Sequence, residues 1–128
     1  MMKSIRSGAL VLAALAFLLP RTPAQSESTK EEALAALKEF GEYAKDKNAH
    51  VRKAAVEGLN AVNHPLVTTA LLDVLNKDAA PEVREAVIIC LERQTNAQGL
   101  RDMLNRAWRG RNKPERLAIL RAFKRSRP

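Results

Sequence analysis

Few residues in this chain could do chemistry, and their spacing works against it. Cys90 is the one cysteine and His50 and His64 are the only histidines, so a disulfide within the chain and a Cys or His metal cluster are both excluded. Cys90 falls in the apolar latter half of a helical stretch, where a thiol is a small buried hydrophobe rather than a nucleophile. Neither histidine has a serine or cysteine at a distance that suggests a catalytic pair, and no Gly-rich loop is present to hold phosphate. His50 sits in a helix first turn and His64 in a turn before proline, both read as surface positions. The sequence therefore predicts a protein that is not an enzyme and that carries no cofactor and no metal.

Charge and one aromatic residue are the features that point to binding. From Gln25 to Leu100 the chain has 9 Lys/Arg against 12 Asp/Glu; from Arg101 to Pro128 it has 10 against 2. Such asymmetry favours an acidic partner at the C-terminal third. Arg101, Asn105 and Trp108 follow each other at i, i+4 and i+7, which places them on one helix face, with Arg109 beside them. Trp and Arg are frequent interface anchors, although a tryptophan here could also cover the last helix. The basic end also raises nucleic acid as a partner. Against it stands the lack of stacking aromatics among the basic residues.

The elements that must carry these residues come from a stretch the chain writes twice. Asp46–Leu59 reads DKNAHVRKAAVEGL, and Asp78–Leu91 reads DAAPEVREAVIICL. The two copies run in step, with Asp46 matched by Asp78, Val51-Arg52 by Val83-Arg84, Ala54 by Ala86 and Leu59 by Leu91. The same offset carries Arg84, Ala86 and Leu91 onto Arg116, Ala118 and Phe123. A fixed period of this length means stacked helical hairpins. The predicted helices run from Thr29 (N-cap, with Glu32 completing a capping box) to about Ala44, Ala49–Val62, Pro65–Asn76, Pro81–Gln94, Ala97–Trp108 and Pro114–Lys124. Gly41 weakens the first helix without ending it. The fourth is apolar around most of its girth, as a helix buried on several sides would be. Thr68 reads as a minor apolar contributor and Thr95-Asn96 as a plain turn.

Ahead of this lies a different kind of segment. Lys3 and Arg6 precede an uncharged run, Gly8–Leu19, and Thr22-Pro23-Ala24 offers small residues at −3 and −1. This is the pattern of a secretory signal peptide, too short for a comfortable membrane span of about 20 residues. The organisation read from sequence is a signal peptide over 1–24, a polar leader over 25–28, a helical repeat domain over 29–124 and a basic tail over 125–128. Export to the periplasm or beyond is the expected destination, with no transmembrane segment after cleavage.

The motif of an aspartate, then Val-Arg, then Ala-Ala-x-x-x-Leu resembles the short bacterial form of HEAT repeats, across about Asp46–Phe123. The resemblance implies an all-α, right-handed α-solenoid of about three antiparallel helical hairpins. It implies a structural ladder between repeats from Asp46, Arg52, Asp78, Arg84 and Arg116. Gly110 stands where a third aspartate belongs. The resemblance also puts the second helix of each pair on the concave, ligand-facing side. The expected partner surface is then Thr69, Asp73, Arg101, Asn105, Trp108 and Arg109. The function so implied is a non-catalytic scaffold for another protein, acidic in character, in an exported compartment. The alternatives are a binder of anionic surfaces or nucleic acid and an enzyme-accessory, lyase-like HEAT domain.

Overall fold

The computed structural model describes residues 26–110 and 112–127; residues 1–25, with the expected signal peptide, lie outside them. Six helices follow one another: α1 (Lys30–Tyr43), α2 (Ala49–Glu57), α3 (Pro65–Lys77), α4 (Pro81–Leu91), α5 (Ala97–Arg109) and α6 (Lys113–Ser126). Each begins where a side chain or proline relieves the free N–H groups of a first turn. Thr29 accepts from the Glu32 amide and Asn48 from the His50 amide; His64 Nδ1 accepts from Leu66 N, Asn96 from Gly99 N and Asn112 from Glu115 N. His64 is therefore a half-buried cap rather than a plain surface residue.

Two of the expected boundaries move inward. α2 stops at Glu57 and α4 at Leu91, short of Val62 and Gln94. At both places the chain tightens into i→i+3 bonds, Leu59 N to Val56 O at 2.9 Å and Arg93 N to Cys90 O at 3.1 Å. The last helix instead runs further, through Arg125 to Ser126, so part of the expected basic tail is helical. Gly41 lies inside an unbroken α1.

α2, α4 and α6 stack in one layer and α1, α3 and α5 in a second, with α1 against α2, α3 against α4 and α5 against α6 across the layers. This is an all-α solenoid. Between the layers a continuous core forms from Val56, Leu59, Val67, Leu71, Leu75, Val83, Val87, Leu91, Met103 and Ile119. Burying these one-sided apolar stripes is what drives the stacking, since none of the short helices would hold in isolation. α4 is less enclosed than its composition suggested. Val83, Val87 and Leu91 are fully buried, but Ile89 is 51% exposed, on a side of α4 that no described helix covers.

Candidate functional site

The repeat period sets up two kinds of polar joint before it sets up a surface. The first is at the start of α2. Arg52 Nε and Nη2 grip the two oxygens of Asp78 at 2.9 and 3.2 Å, and Nη1 donates to the carbonyls of Asp46 and Lys47 at 2.9 and 3.1 Å. Two parallel N–H···O bonds fix direction as well as distance. The Arg52 guanidinium holds the Asp78 carboxyl below the usual carboxylate range; partial burial opposes this, and the Ala80 amide and Arg84 assist it. The Asp78 bond raises the Arg52 pKa in turn.

The other expected rungs do not form, for a reason visible at residue 110. Arg84 faces Gly110 in the repeat frame, which has no carboxylate, and no side-chain hydrogen bond of Arg84 is found among the described residues. Arg116 turns back instead, lying over Gly110 and donating from Nε to Ala107 O at 2.9 Å. Asp46 accepts from the Asn48 amide at 2.8 Å, the same local turn that Asp78 makes with Ala80 at 3.0 Å, and no described arginine pairs with its carboxylate.

The second joint has no counterpart in the sequence expectations. At the opposite ends of the helices, Asn63, Gln94 and Asn96 are buried polar groups that satisfy one another. Asn63 Oδ1 accepts from the Thr95 and Asn96 amides at 3.0 and 3.1 Å, and its Nδ2 donates to Thr95 Oγ1 at 2.8 Å. Gln94 Nε2 donates to Val62 O at 2.7 Å, while its Oε1 accepts from the Thr68 hydroxyl at 2.9 Å. Asn96 Nδ2 donates to Asn63 Oδ1 at 2.9 Å and to Thr68 Oγ1 at 3.2 Å, and its Oδ1 accepts from Gly99 N at 2.6 Å. Thr68 is thus a polar node, not an apolar contributor. One signal for this was available: Asn63 and Thr95 are separated by the same interval as Asp46 and Asp78, so they are in phase with the repeat.

With α3 and α5 clamped in this way, an open groove of ≈740 Å³ runs between them. Thr69, Leu72, Asp73 and Asn76 form one wall; Asp102, Asn105, Arg106 and Arg109 form the other; Gly110, Asn112 and Glu115 close one end. Of the six expected partner-binding residues, the groove gathers Thr69, Asp73, Asn105 and Arg109. Arg101 and Trp108 lie outside it on the next face of α5. Arg101 donates to Gln98 Oε1 at 2.7 Å, and Trp108 is 83% exposed and covers no helix. Sequence reasoning missed Asp102 and Arg106 because a helix wheel centred on Trp108 selects the outward face of α5, not the face turned toward α3; it also missed Asn76 on α3 and Asn112 and Glu115 at the start of α6.

Cys90 is buried, and its Sγ donates to Val56 O at 3.4 Å. Burial pushes the thiol up to about 11, with Glu57 adding to the effect and Arg93 opposing it. It is a packing residue between α2 and α4. No helix among the described residues is long and apolar enough to cross a membrane.

A family model described as HEAT repeats matches residues 9–92 and again residues 42–124, two overlapping passes displaced by about one repeat. No curated protein and no solved structure matches the chain.

Proposed function

The chain belongs to the HEAT-repeat family, and from that we propose a non-catalytic scaffold that holds a segment of another protein in the groove between α3 and α5. HEAT repeats generally serve as scaffolds for protein interaction. The observation that carries the reading is the composition of the two facing walls. Asn76, Asn105 and Asn112 offer amide donors and acceptors, which suit the backbone of an extended polypeptide. Arg106 and Arg109 stand across from Asp73, with Asp102 beside them on the α5 wall and Glu115 at the end, so the groove discriminates by charge pattern along the segment, not by apolar contact. Arg101 and the exposed Trp108, beside the groove, extend the surface toward an acidic partner. Rigidity is supplied by the joints at both ends of the middle helices, so little ordering of the scaffold opposes binding.

Export is part of the proposal. Its support is the basic start at Lys3 and Arg6, the uncharged run Gly8–Leu19 and the small residues at Thr22 and Ala24. The partner is then a protein of the same exported compartment. The test compares proteins recovered from the exported fraction by wild type, by Asn105→Ala/Arg109→Ala, and by Lys53→Ala on α2 as a control outside the groove. The expected result is a set of partners shared by wild type and control and lost with the groove variant. Recovery of the same set by all three would remove the groove from consideration.

A further inference from the structure

Among the described residues, the stacking that builds the solenoid leaves its two ends unfinished, and unfinished in complementary ways. In the middle of the array, Leu71, Leu72 and Leu75 of α3 and Val83, Val87 and Cys90 of α4 are buried. α2 lies against this face of α4, close enough for Cys90 to reach the Val56 carbonyl. The residues one repeat earlier are Glu39, Phe40 and Tyr43 on α1 and Val51, Ala55 and Gly58 on α2. These line an open, mainly apolar groove of ≈500 Å³, together with Ala36, His50 and Ala54. The groove is a seat of the kind α2 occupies one repeat later, with no described helix in it.

α6 is the matching plug. Its Leu120 stands two repeats after Val56, the residue α2 buries against α4; Val56 is 1% exposed and Leu120 40%. Leu104 on α5 likewise stands one repeat after Leu72, and exposure rises from 6% to 46%. Among the described residues nothing follows α6 to cover this end. Charge points the same way: α1 carries Glu31, Glu32, Glu39 and Glu42 against Lys30 and Lys38, whereas α6 carries Lys113, Arg116, Arg121, Lys124 and Arg125 against Glu115.

The ladder adds an independent observation. The one formed rung among the described residues joins Arg52 to Asp78 in the connector after the next helix. The remaining aspartate of this type, Asp46, has no arginine on its carboxylate, and the last arginine of this type, Arg116, has no carboxylate. Asp46 lies in the connector between α1 and α2, the two helices that line the open groove, and Arg116 on the plug. Ahead of α1 the family match reaches back to residue 9, but the Val-Arg pair of the motif is lost there. In phase with Arg52 stands Pro20, and in phase with Ala55 stands Pro23, two prolines where the motif needs a helix interior.

We propose that these ends bind each other in separate copies of the protein: α6 of one chain seats in the α1–α2 groove of the next, with Arg116 of the first paired to Asp46 of the second. The contact is head-to-tail, so it propagates into filaments or closes into a ring, instead of stopping at a two-fold dimer. The inference is separate from the partner groove between α3 and α5, which it leaves open.

Sedimentation velocity of the purified full chain, with its N-terminus read by mass spectrometry, tests it. The wild type is expected to sediment faster as concentration rises and to lose this in high salt. Ala54→Glu in the seat and Leu120→Glu on the plug, both at exposed positions, each give a monomer. Their equimolar mixture gives a dimer and nothing larger, because one good seat and one good plug remain. Asp46→Arg and Arg116→Asp each weaken association, and both together in one chain restore it. A wild type that stays monomeric at every concentration overturns the proposal, including the case in which a retained leader covers the seat. A mixture of the two blocked variants that stays monomeric overturns it as well. Loss of assembly with Asn105→Ala/Arg109→Ala, and not with Ala54→Glu, would assign the contact to the partner groove instead.

Discussion

Replacing Gly99 with alanine should damage this protein more than its position in a helix suggests. Gly99 is in the first turn of α5, buried against the second polar joint. A Cβ there would lie 2.5 Å from Thr68 Oγ1, 2.7 Å from Asn96 Oδ1 and 3.0 Å from Asn96 Nδ2. Ordinary contact begins at 3.4 Å, so Thr68 or α5 must give way by about 0.9 Å. Neither has slack: Thr68 Oγ1 is held between Gln94 Oε1 and Asn96 Nδ2, and Asn96 caps α5 through Gly99 N itself. Moving them breaks one or two buried hydrogen bonds, at about 1–3 kcal/mol for each group left without a partner. Alanine returns about 1 kcal/mol through helix propensity. The net expectation is a loss of about 2–3 kcal/mol, or roughly 10 °C in Tm for about 100 ordered residues. Gly41→Ala is the matched control, since nothing lies within 4 Å of its Cβ position, and it should stabilise by about 0.5–1 kcal/mol. Thr68→Ala added to Gly99→Ala should recover part of the loss and not all, because the Asn96 contact remains. Thermal unfolding followed by circular dichroism reads all four. If Gly99→Ala melts at or above Gly41→Ala, the buried network is not a stabilising joint.

Other expectations are separable from this one. Asp78→Asn removes the carboxylate that Arg52 holds below its ordinary pKa. The native rung is stabilising above the unfolded carboxylate pKa and is lost as pH falls through the lower folded value, so the Tm gap between wild type and variant should be widest near pH 7 and close in acid. Burial raises the Cys90 thiol to about 11, so the folded state prefers the neutral form, and stability should fall as pH rises from about 9 toward 11. Alkylation of Cys90 at neutral pH should accordingly proceed no faster than unfolding. At the end of α6, Ser126 Oγ lies 2.8 Å from Leu91 O in a buried site, whereas the Arg125–Glu92 pair is largely exposed on the arginine side. Denaturant titration should show Ser126→Ala costing about 1 kcal/mol and Arg125→Ala within about 0.5 kcal/mol of wild type.

The architecture was legible because its signals are local in kind and periodic in spacing. Asp46 with Val51-Arg52 and Asp78 with Val83-Arg84 name a joint, and the constant interval between them names a stack. Even the failed rung could be read, since Gly110 occupies the aspartate position. Of the second joint only the in-phase pair Asn63 and Thr95 was legible. Asn63, Gln94 and Asn96 are polar residues in connectors, which reads as solvent exposure; only partners far along the chain, as Thr68 is to Gln94 and Asn63 to Asn96, turn them into a buried cluster. Thr68 escaped notice for the same reason. The partner surface was legible by half. Helical spacing gathered Arg101, Asn105 and Trp108 on one face of α5, but which face meets α3 is set by the rotation of the helix, and that is fixed by Gly99 against Thr68, a contact no single-helix pattern contains.

The two joints also predict where the solenoid is soft. The middle of the array is held at both ends: by Arg52 on Asp78 where α2 begins, and by the Asn63–Asn96 cluster where the chain turns into α3 and α5. The α5–α6 connector lacks the first of these. Ser126 and Arg125 tie the far end of α6 to Leu91 and Glu92, but at Gly110 the rung is missing and Arg116 satisfies itself on Ala107 O, within its own pair. Local opening costs least where fewest long-range bonds must break, so the α5–α6 connector and the first turn of α6 should open before their counterparts at Asp78 and the first turn of α4. Amide hydrogen exchange read by mass spectrometry should show peptides covering 112–118 exchanging roughly tenfold or more faster than those covering 80–86, a difference of about 1.4 kcal/mol in opening free energy. Asp78→Asn should erase much of that gap by raising exchange at the α4 end while leaving the α6 end unchanged. Equal protection at the two sites in the wild type would mean that core packing alone sets the local stability and that the Arg52–Asp78 rung adds nothing to it.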